Sequence, residues 1–113
     1  MAGPYCPKRA DVVWLTFDPQ AGHEQAGRHP ALVISPESYN RKVGLVLLCP
    51  LTQRKKNYPF EVDVPQGLPV SGVMLADQLK SMDWRARKTE YCCKLPDTLL
   101  QEVVAKAQTL LTP

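Results

Sequence analysis

The apolar residues of this chain come in short runs closed by proline, glycine or asparagine, and that punctuation limits the fold more than any motif does. Eleven prolines and six glycines interrupt 113 residues. Proline removes a backbone donor and clashes with the preceding helical turn, so such spacing favours short strands joined by turns. DVVWLTF (11–17) is apolar on both faces of its alternation, as a buried strand must be. ALVIS (31–35) and VGLVLLCPLT (43–52) read the same way, with Ser35-Pro36 and Asn40 marking a turn between them. PFEVDV (59–64) alternates cleanly, Phe60, Val62 and Val64 against Glu61 and Asp63, which predicts a half-exposed strand with Pro59 at its start or on an edge. VSGVMLADQLKSM (70–82) predicts a further strand that turns polar at Asp77 and Gln78, and KTEYCCKL (88–95) one more. The period then changes. In LPDTLLQEVVAKAQTLL, Leu99, Leu100, Val103, Ala107, Leu110 and Leu111 recur at three and four, which predicts an amphipathic helix with Pro96 and Asp97 in its first turn and Pro113 as its stop. The expectation is a mainly β single domain over residues 1–113, a small and strongly bent sheet or barrel with one terminal helix packed on it.

An apolar fraction of 44% with 22% charged residues is that of a globular protein, and no run approaches the roughly 18 apolar residues of a membrane span. The start, MAGPYCPKRAD, lacks the apolar core of a secretory signal, so a cytoplasmic protein is expected. A net charge of +3 permits an anionic partner without demanding one. Cys6, Cys49, Cys92 and Cys93 form no C-x-x-C pair, which argues against a zinc knuckle. Adjacent Cys92 and Cys93 would point to opposite faces of a strand. Reduced thiols, no metal and no cofactor are expected.

The chemistry concentrates between the first two apolar runs, in FDPQAGHEQAGRHPALVIS (17–35). Gly22 and Gly27 let the backbone turn sharply beside a ligand, and connections this long in a small domain are often functional. Imidazoles such as those of His23 and His29 exchange protons near neutrality. Glu24 can accept a proton or orient a partner, and Arg28 carries a charged fork matched to phosphate oxygens. Together these suit phosphodiester chemistry, where a hydroxyl is deprotonated, charge on phosphorus is stabilised and a leaving oxygen is protonated. A solvated polar loop with Glu24 and Arg28 paired to each other explains the same composition equally well.

Two further clusters bear on an anionic ligand. Thr52 ends an apolar strand and sets a hydroxyl beside Arg54, Lys55 and Lys56. KSMDWRARK places Lys80, Arg85, Arg87 and Lys88 around Trp84, the mixture of cations and aromatic face that single-stranded nucleic acid requires. Large aromatics are usually core, and by that rule Trp84 is buried. Asp77 and Gln78 offer acceptors and donors to base edges, or simply satisfy a turn.

FDPQAGHEQAGRHPALVIS, followed by YN, CPLT, YPFEV and GVMLADQLKSMDWRAR, resembles the MazF/PemK family of bacterial toxin endoribonucleases from about Asp11 to the end. The resemblance implies a strongly curved SH3-like barrel of the MazF/PemK/CcdB type with a C-terminal helix, acting as a homodimer. It implies sequence-specific, metal-independent cleavage of single-stranded RNA, with messenger RNA as target, to a 2′,3′-cyclic phosphate and a 5′-hydroxyl. It also implies a cognate antitoxin whose acidic tail occupies the RNA groove, with operator DNA bound through that complex. Glu24 and Gln25 match the family's loop motif, and Thr52 matches its catalytic threonine. Arg28, His29, Thr52 and Glu24 are thus the candidate catalytic set. His23, Gln25, Gly27, Arg54, Lys55, Lys56, Asp77, Gln78, Lys80, Trp84, Arg85 and Arg87 are the candidate RNA contacts. One position departs from the pattern. The family's arginine directly precedes the proline that opens the second strand, where this chain has His29, with Arg28 one place earlier. Neighbours in an extended segment project to opposite sides, so either Arg28 swings on Gly27 to the phosphate or His29 takes the place. Two other readings stand beside this one. A gyrase-poisoning toxin of the same fold would need an aromatic near its end, and this chain has none after Tyr91. A module that binds nucleic acid or antitoxin without cutting is the other.

Overall fold

The computed structural model describes residues 5–17 and 27–112. Its strands are β1 (Asp11–Phe17), β2 (Gly27–Val33), β3 (Leu45–Thr52), β4 (Glu61–Asp63), β5 (Val73–Leu75), β6 (Lys80–Asp83) and β7 (Glu90–Lys94); its helices are α1 (Glu37–Val43) and α2 (Asp97–Gln108). All pairings are antiparallel, in the order β4-β5-β3-β2-β1-β7, with β6 also on β3. The sheet is curved as expected, but open: β4 and β7 are its ends and do not pair, so the barrel is not closed.

Both faces of this sheet are apolar, which explains the unbroken hydrophobic runs. One face buries Val12, Leu32, Cys49, Leu51 and Met74 beneath Leu100 and Val103 of α2. The other buries Val13, Leu15, Phe17, Ala31, Val46 and Leu48 with Met82 and Trp84. β3 belongs to two ladders at once: Leu48 pairs with Val33 on one edge and with Lys80 on the other. Along that second edge the run 70–82 is not one strand. Leu51 pairs with Met74 and Leu48 with Lys80, so two residues of β3 face five of the partner. The excess is extruded as a bulge at Ala76–Leu79, and this is what carries Asp77 and Gln78 out of the ladder.

Several expectations change. The turn read between the second and third strands is α1, closed by Gly44 at φ +82, whose N–H reaches Asn40 O at 2.9 Å. Asn40 is buried, donating to Pro7 O and Ser35 O and accepting the Trp84 indole N–H at 2.8 Å. β2 begins earlier than 31, at Gly27, so Arg28 and His29 lie in a strand and not in a loop. Cys92 and Cys93 do not face opposite ways. The β1–β7 register shifts between Val12 and Val13, and both thiols pack against the α2-side core. All four cysteines are free. Leu110 and Leu111 lie beyond the end of α2 and are 55% and 73% exposed.

Candidate active site

Ala31 pairs with Pro50, and both strands continue outward to Gly27 and Thr52. The β2–β3 ladder ends at that pair, and His29 and Thr52 each lie two residues beyond it on their own strands. Both residues border a pocket of about 430 Å³, with Trp14, Pro30, Leu51 and Val70 as apolar walls and Arg54 at its rim. The His29 ring stands edge-on to Phe17, centroids 5.7 Å apart. Lys80 Nζ lies 5.5 Å from the same Phe17 ring, so this charge and the His29 ring share the Phe17 face of the sheet, whereas Trp14, Leu51 and Val70 belong to the α2-side face. The Thr52 hydroxyl accepts the Arg54 N–H at 3.2 Å, a local turn that bends the chain out of β3 and brings Arg54 back over the pocket.

Glycine is required next to Thr52. Gly72 has φ +106, and a Cβ there would stand 2.2 Å from the Thr52 carbonyl oxygen. Val73 could not otherwise pair with Thr52, so the entry of β5 depends on the missing side chain.

Arg28 does not reach this place. Its guanidinium crosses β1, away from β3, donating to Trp14 O at 3.2 Å, Thr16 Oγ1 at 3.1 Å, Lys88 O at 2.7 Å and Glu90 Oε1 at 2.6 Å. The swing on Gly27 is thus corrected: Gly27 sits at φ +87 opposite Phe17, and Arg28 ties β2 to β1 and β7. Single ion pairs of this exposure contribute about 0–1 kcal/mol; the four bonds together fix which way residue 28 faces, and so which way residue 29 does.

A smaller pocket, about 120 Å³, adjoins the first and shares Thr52 and Arg54 with it; Lys56, Tyr58, Glu61, Leu75 and Gln78 complete it. Glu61 accepts the N–H groups of Lys56 and Asn57, each at 2.8 Å, which folds the 53–58 loop over β4. Tyr58 donates its hydroxyl proton to Asp77 Oδ1 at 2.7 Å, and that bond pushes the phenol up to about 12. Lys55 turns the other way, to Asp63 at 2.9 Å, and borders neither pocket.

The second cationic cluster is not a stacking platform. Trp84 is 5% exposed, its ring in the core and its N–H spent on Asn40, so no base can reach its face. Arg85 lies over that ring at 4.8 Å and donates to Arg41 O. Since Asp83 pairs with Leu45, Arg85 is at the opposite end of β3 from Thr52, roughly 23 Å away at ~3.3 Å per residue. Arg87 donates to Thr16 O at 3.1 Å, near the end of β1. His23, Glu24 and Gln25 lie outside the described residues.

A family model for the PemK-like, MazF-like toxin of type II toxin–antitoxin systems matches residues 8–111. The chain belongs to this family. It is 45% identical to the endoribonuclease toxin MazF of Escherichia coli (strain K12), over 98% of this chain and 99% of that protein. The crystal structure of MazF (Form-I) from Deinococcus radiodurans superimposes with a TM-score of 0.89 at 53% identity, covering 96% of this chain and 98% of that one. MazE-MazF (Form-III) from the same organism gives 0.88 at 50%, covering 95% and 97%. The curved sheet with its C-terminal helix is therefore the MazF fold, and the chain is a toxin of a type II toxin–antitoxin system whose relatives are endoribonucleases.

Within this family fold, three residues beside Thr52 escaped the sequence reading: Tyr58, Glu61 and Gly72. The first two stand in YPFEV, which marked a strand start and the family likeness but no site residue. Gly72 was visible as a lone glycine leading into a strand, the usual sign of close backbone approach.

Proposed function

We propose that this toxin cleaves single-stranded RNA by internal attack of a 2′-hydroxyl on its adjacent phosphate, giving a 2′,3′-cyclic phosphate and a 5′-hydroxyl, with no metal ion in the step. The observation that carries this reading is the single pocket that His29, Thr52 and Arg54 line together at the ends of β2 and β3. Glu24 takes the 2′-hydroxyl proton; Thr52 and Arg54 stabilise charge on the phosphorane; His29 protonates the departing 5′-oxygen. Arg28 has no contact with the reacting atoms and holds β2 in place. His29 thus does with an imidazole what the family pattern assigns to an arginine.

Cleavage of a short RNA in EDTA tests this. Thr52→Ala should lower the rate on the order of a hundredfold, as loss of one transition-state donor does. His29→Arg should keep substantial activity, because a guanidinium at that place also donates to phosphate oxygens. His29→Ala with an unchanged rate removes the histidine from the mechanism. A substrate with 2′-deoxyribose at the cut must be inert; its cleavage would sink the whole reading.

The same proposal extends to assembly and place. The Deinococcus radiodurans MazE-MazF complexes support a cognate antitoxin, with an acidic tail suited to the cations around Thr52, and a homodimeric toxin. Operator DNA is bound only through the complex. No helix among the described residues is long and apolar enough to cross a membrane, and the site of action proposed is the cytoplasm, where messenger RNA is. The family match disfavours gyrase as target.

A further inference from the structure

We propose that Cys92 and Cys93 form a dithiol site for a soft trivalent centre of the arsenic class, which bridges the two sulfurs of one bulge in β7. A regular strand could not build it, because adjacent side chains there point to opposite faces. The β1–β7 ladder is not regular at this place. Val12 pairs with Cys93 and Val13 with Tyr91, so Cys92 is an extra residue with no partner on β1. Tyr91 faces one side, its ring 6.0 Å from that of Tyr5 beside the Trp84-side core. Cys92 and Cys93 both turn to the other side, against the core that holds Val12 and Leu95. There the two thiols hydrogen-bond each other, both free and both half-buried.

The number and spacing of the donors select the ligand. Two sulfurs are available, and among the described residues no third histidine, cysteine or carboxylate joins them in a metal-holding group. Asp11, which helps to hold up Cys93, is itself taken by Tyr5, the Lys8 N–H and Lys94. A structural zinc ion wants four ligands in a tetrahedron. Ions that take two thiolates in a line need them on opposite sides, which one peptide unit cannot span. Direct S–S closure is strained as well: neighbouring Cα atoms are about 3.8 Å apart, below the roughly 4.4–6.8 Å of ordinary disulfides. A bridging atom between the sulfurs removes that constraint. A trivalent organoarsenic centre has one bond to carbon and two adjacent places for sulfur, so this pair completes it. The exchange balances without an oxidant. Two S–H and two As–OH bonds break, two As–S bonds form, and two waters leave. The product carries no charge, which suits an apolar wall. Burial, then the bond to Cys92, pushes the Cys93 thiol up to about 11. A step that runs from neutral thiols to a neutral chelate is not opposed by that shift.

Phenylarsine oxide, whose hydrated form carries two As–OH groups, is the probe. The reduced full-length protein is mixed with it in excess mercaptoethanol, a monothiol, and the intact mass is measured. One equivalent per chain should stay bound, and the dithiol 2,3-dimercaptopropanol should strip it. Cys92→Ser and Cys93→Ser each leave one sulfur of the pair and should weaken binding on the order of a hundredfold, the gain that a second, intramolecular contact gives. An unfolded chain also carries adjacent thiols, so a melting curve locates the site in the fold. A ligand that prefers the folded state raises the melting temperature, and one that prefers the unfolded chain lowers it. Because the bulge already sets both sulfurs on one side, phenylarsine oxide should raise it. A melting temperature that fails to rise, equal binding by Cys92→Ser, or loss of the probe to the monothiol overturns the site. The competition and melting arms use wild type alone, so they decide the matter even where a serine disturbs β7.

Discussion

Two clusters in this protein look alike on paper: Thr52 to Tyr58, and Trp84 to Lys88. Each sets an aromatic among cations. In the fold they do opposite work. Around Thr52 the chain leaves β3, and Arg54 and Lys56 border two pockets with Tyr58 half-exposed between them. Around Trp84 the chain is still tied to the core, the indole is buried, and Arg85 and Arg87 give N–H groups to the carbonyls of Arg41 and Thr16. The difference comes from where each aromatic falls in the ladder. Met82 and Trp84 alternate inward at the start of β3, whereas Tyr58 precedes β4 in a loop that Glu61 props up. Composition marks a cluster as able to bind nucleic acid. Register decides whether the cluster is free to.

The largest effect that would break this comparison is at Trp84. If the indole is core, Trp84→Ala should cost roughly 3–5 kcal/mol of unfolding free energy, the usual range for truncating a buried large aromatic. Trp84→Phe, which keeps a ring but drops the N–H to Asn40, should cost less. Urea denaturation followed by circular dichroism measures both. A stable Trp84→Ala that has lost RNA affinity would return this residue to the binding surface and erase the contrast.

How far the sequence could be read follows the same line. β1 was legible to the residue because burial on both faces leaves DVVWLTF no polar position between Asp11 and Thr16. α2 was legible through its period, up to the point where Leu110 and Leu111 continue the pattern in sequence but not in the helix. α1 was not legible. It is short, begins after a proline, and is held by a buried asparagine whose partners, Pro7 and Trp84, are remote in the chain. The bulges at Ala76–Leu79 and at Cys92 were equally hidden, since a bulge is a relation between two strands and only one can be seen at a time. At the candidate site, alternation already required Arg28 and His29 to part company. What it left open was which of them borders a pocket with Thr52, and of the two it is His29 that lines it.

A middle-sized effect sharpens the contrast between the arginines. A cation that neutralises a phosphate of single-stranded RNA contributes about 0.7 to the slope of log affinity against log salt. Arg54→Ala should lower the measured slope by about that amount. Arg85→Ala should leave it unchanged, because that guanidinium stacks on Trp84 far from the pockets. Equal losses at both positions would mean that RNA runs along the whole length of β3.

The smallest effect uses the one aromatic of the pair that can titrate. Its bond to Asp77, aided by desolvation, pushes the Tyr58 phenol from its ordinary 10.0 up to about 12. Below pH about 10 the phenol is protonated in folded and unfolded chains alike, and the bond to Asp77 contributes fully. Between about 10 and about 12 the unfolded chain releases its proton first, so the folded state binds more protons and stability falls as pH rises. Burial also holds up Tyr5, Cys49 and Cys93, so the informative quantity is the difference between wild type and Tyr58→Phe. Wild type should lose denaturant resistance more steeply than the variant across that alkaline window, and Asp77→Asn should move the tyrosinate absorbance transition back down. A Tyr58 that titrates at its ordinary value would mean that its hydroxyl is not held by Asp77. The loop carrying Lys56 would then lose the tie that this bond gives it to the bulge carrying Gln78.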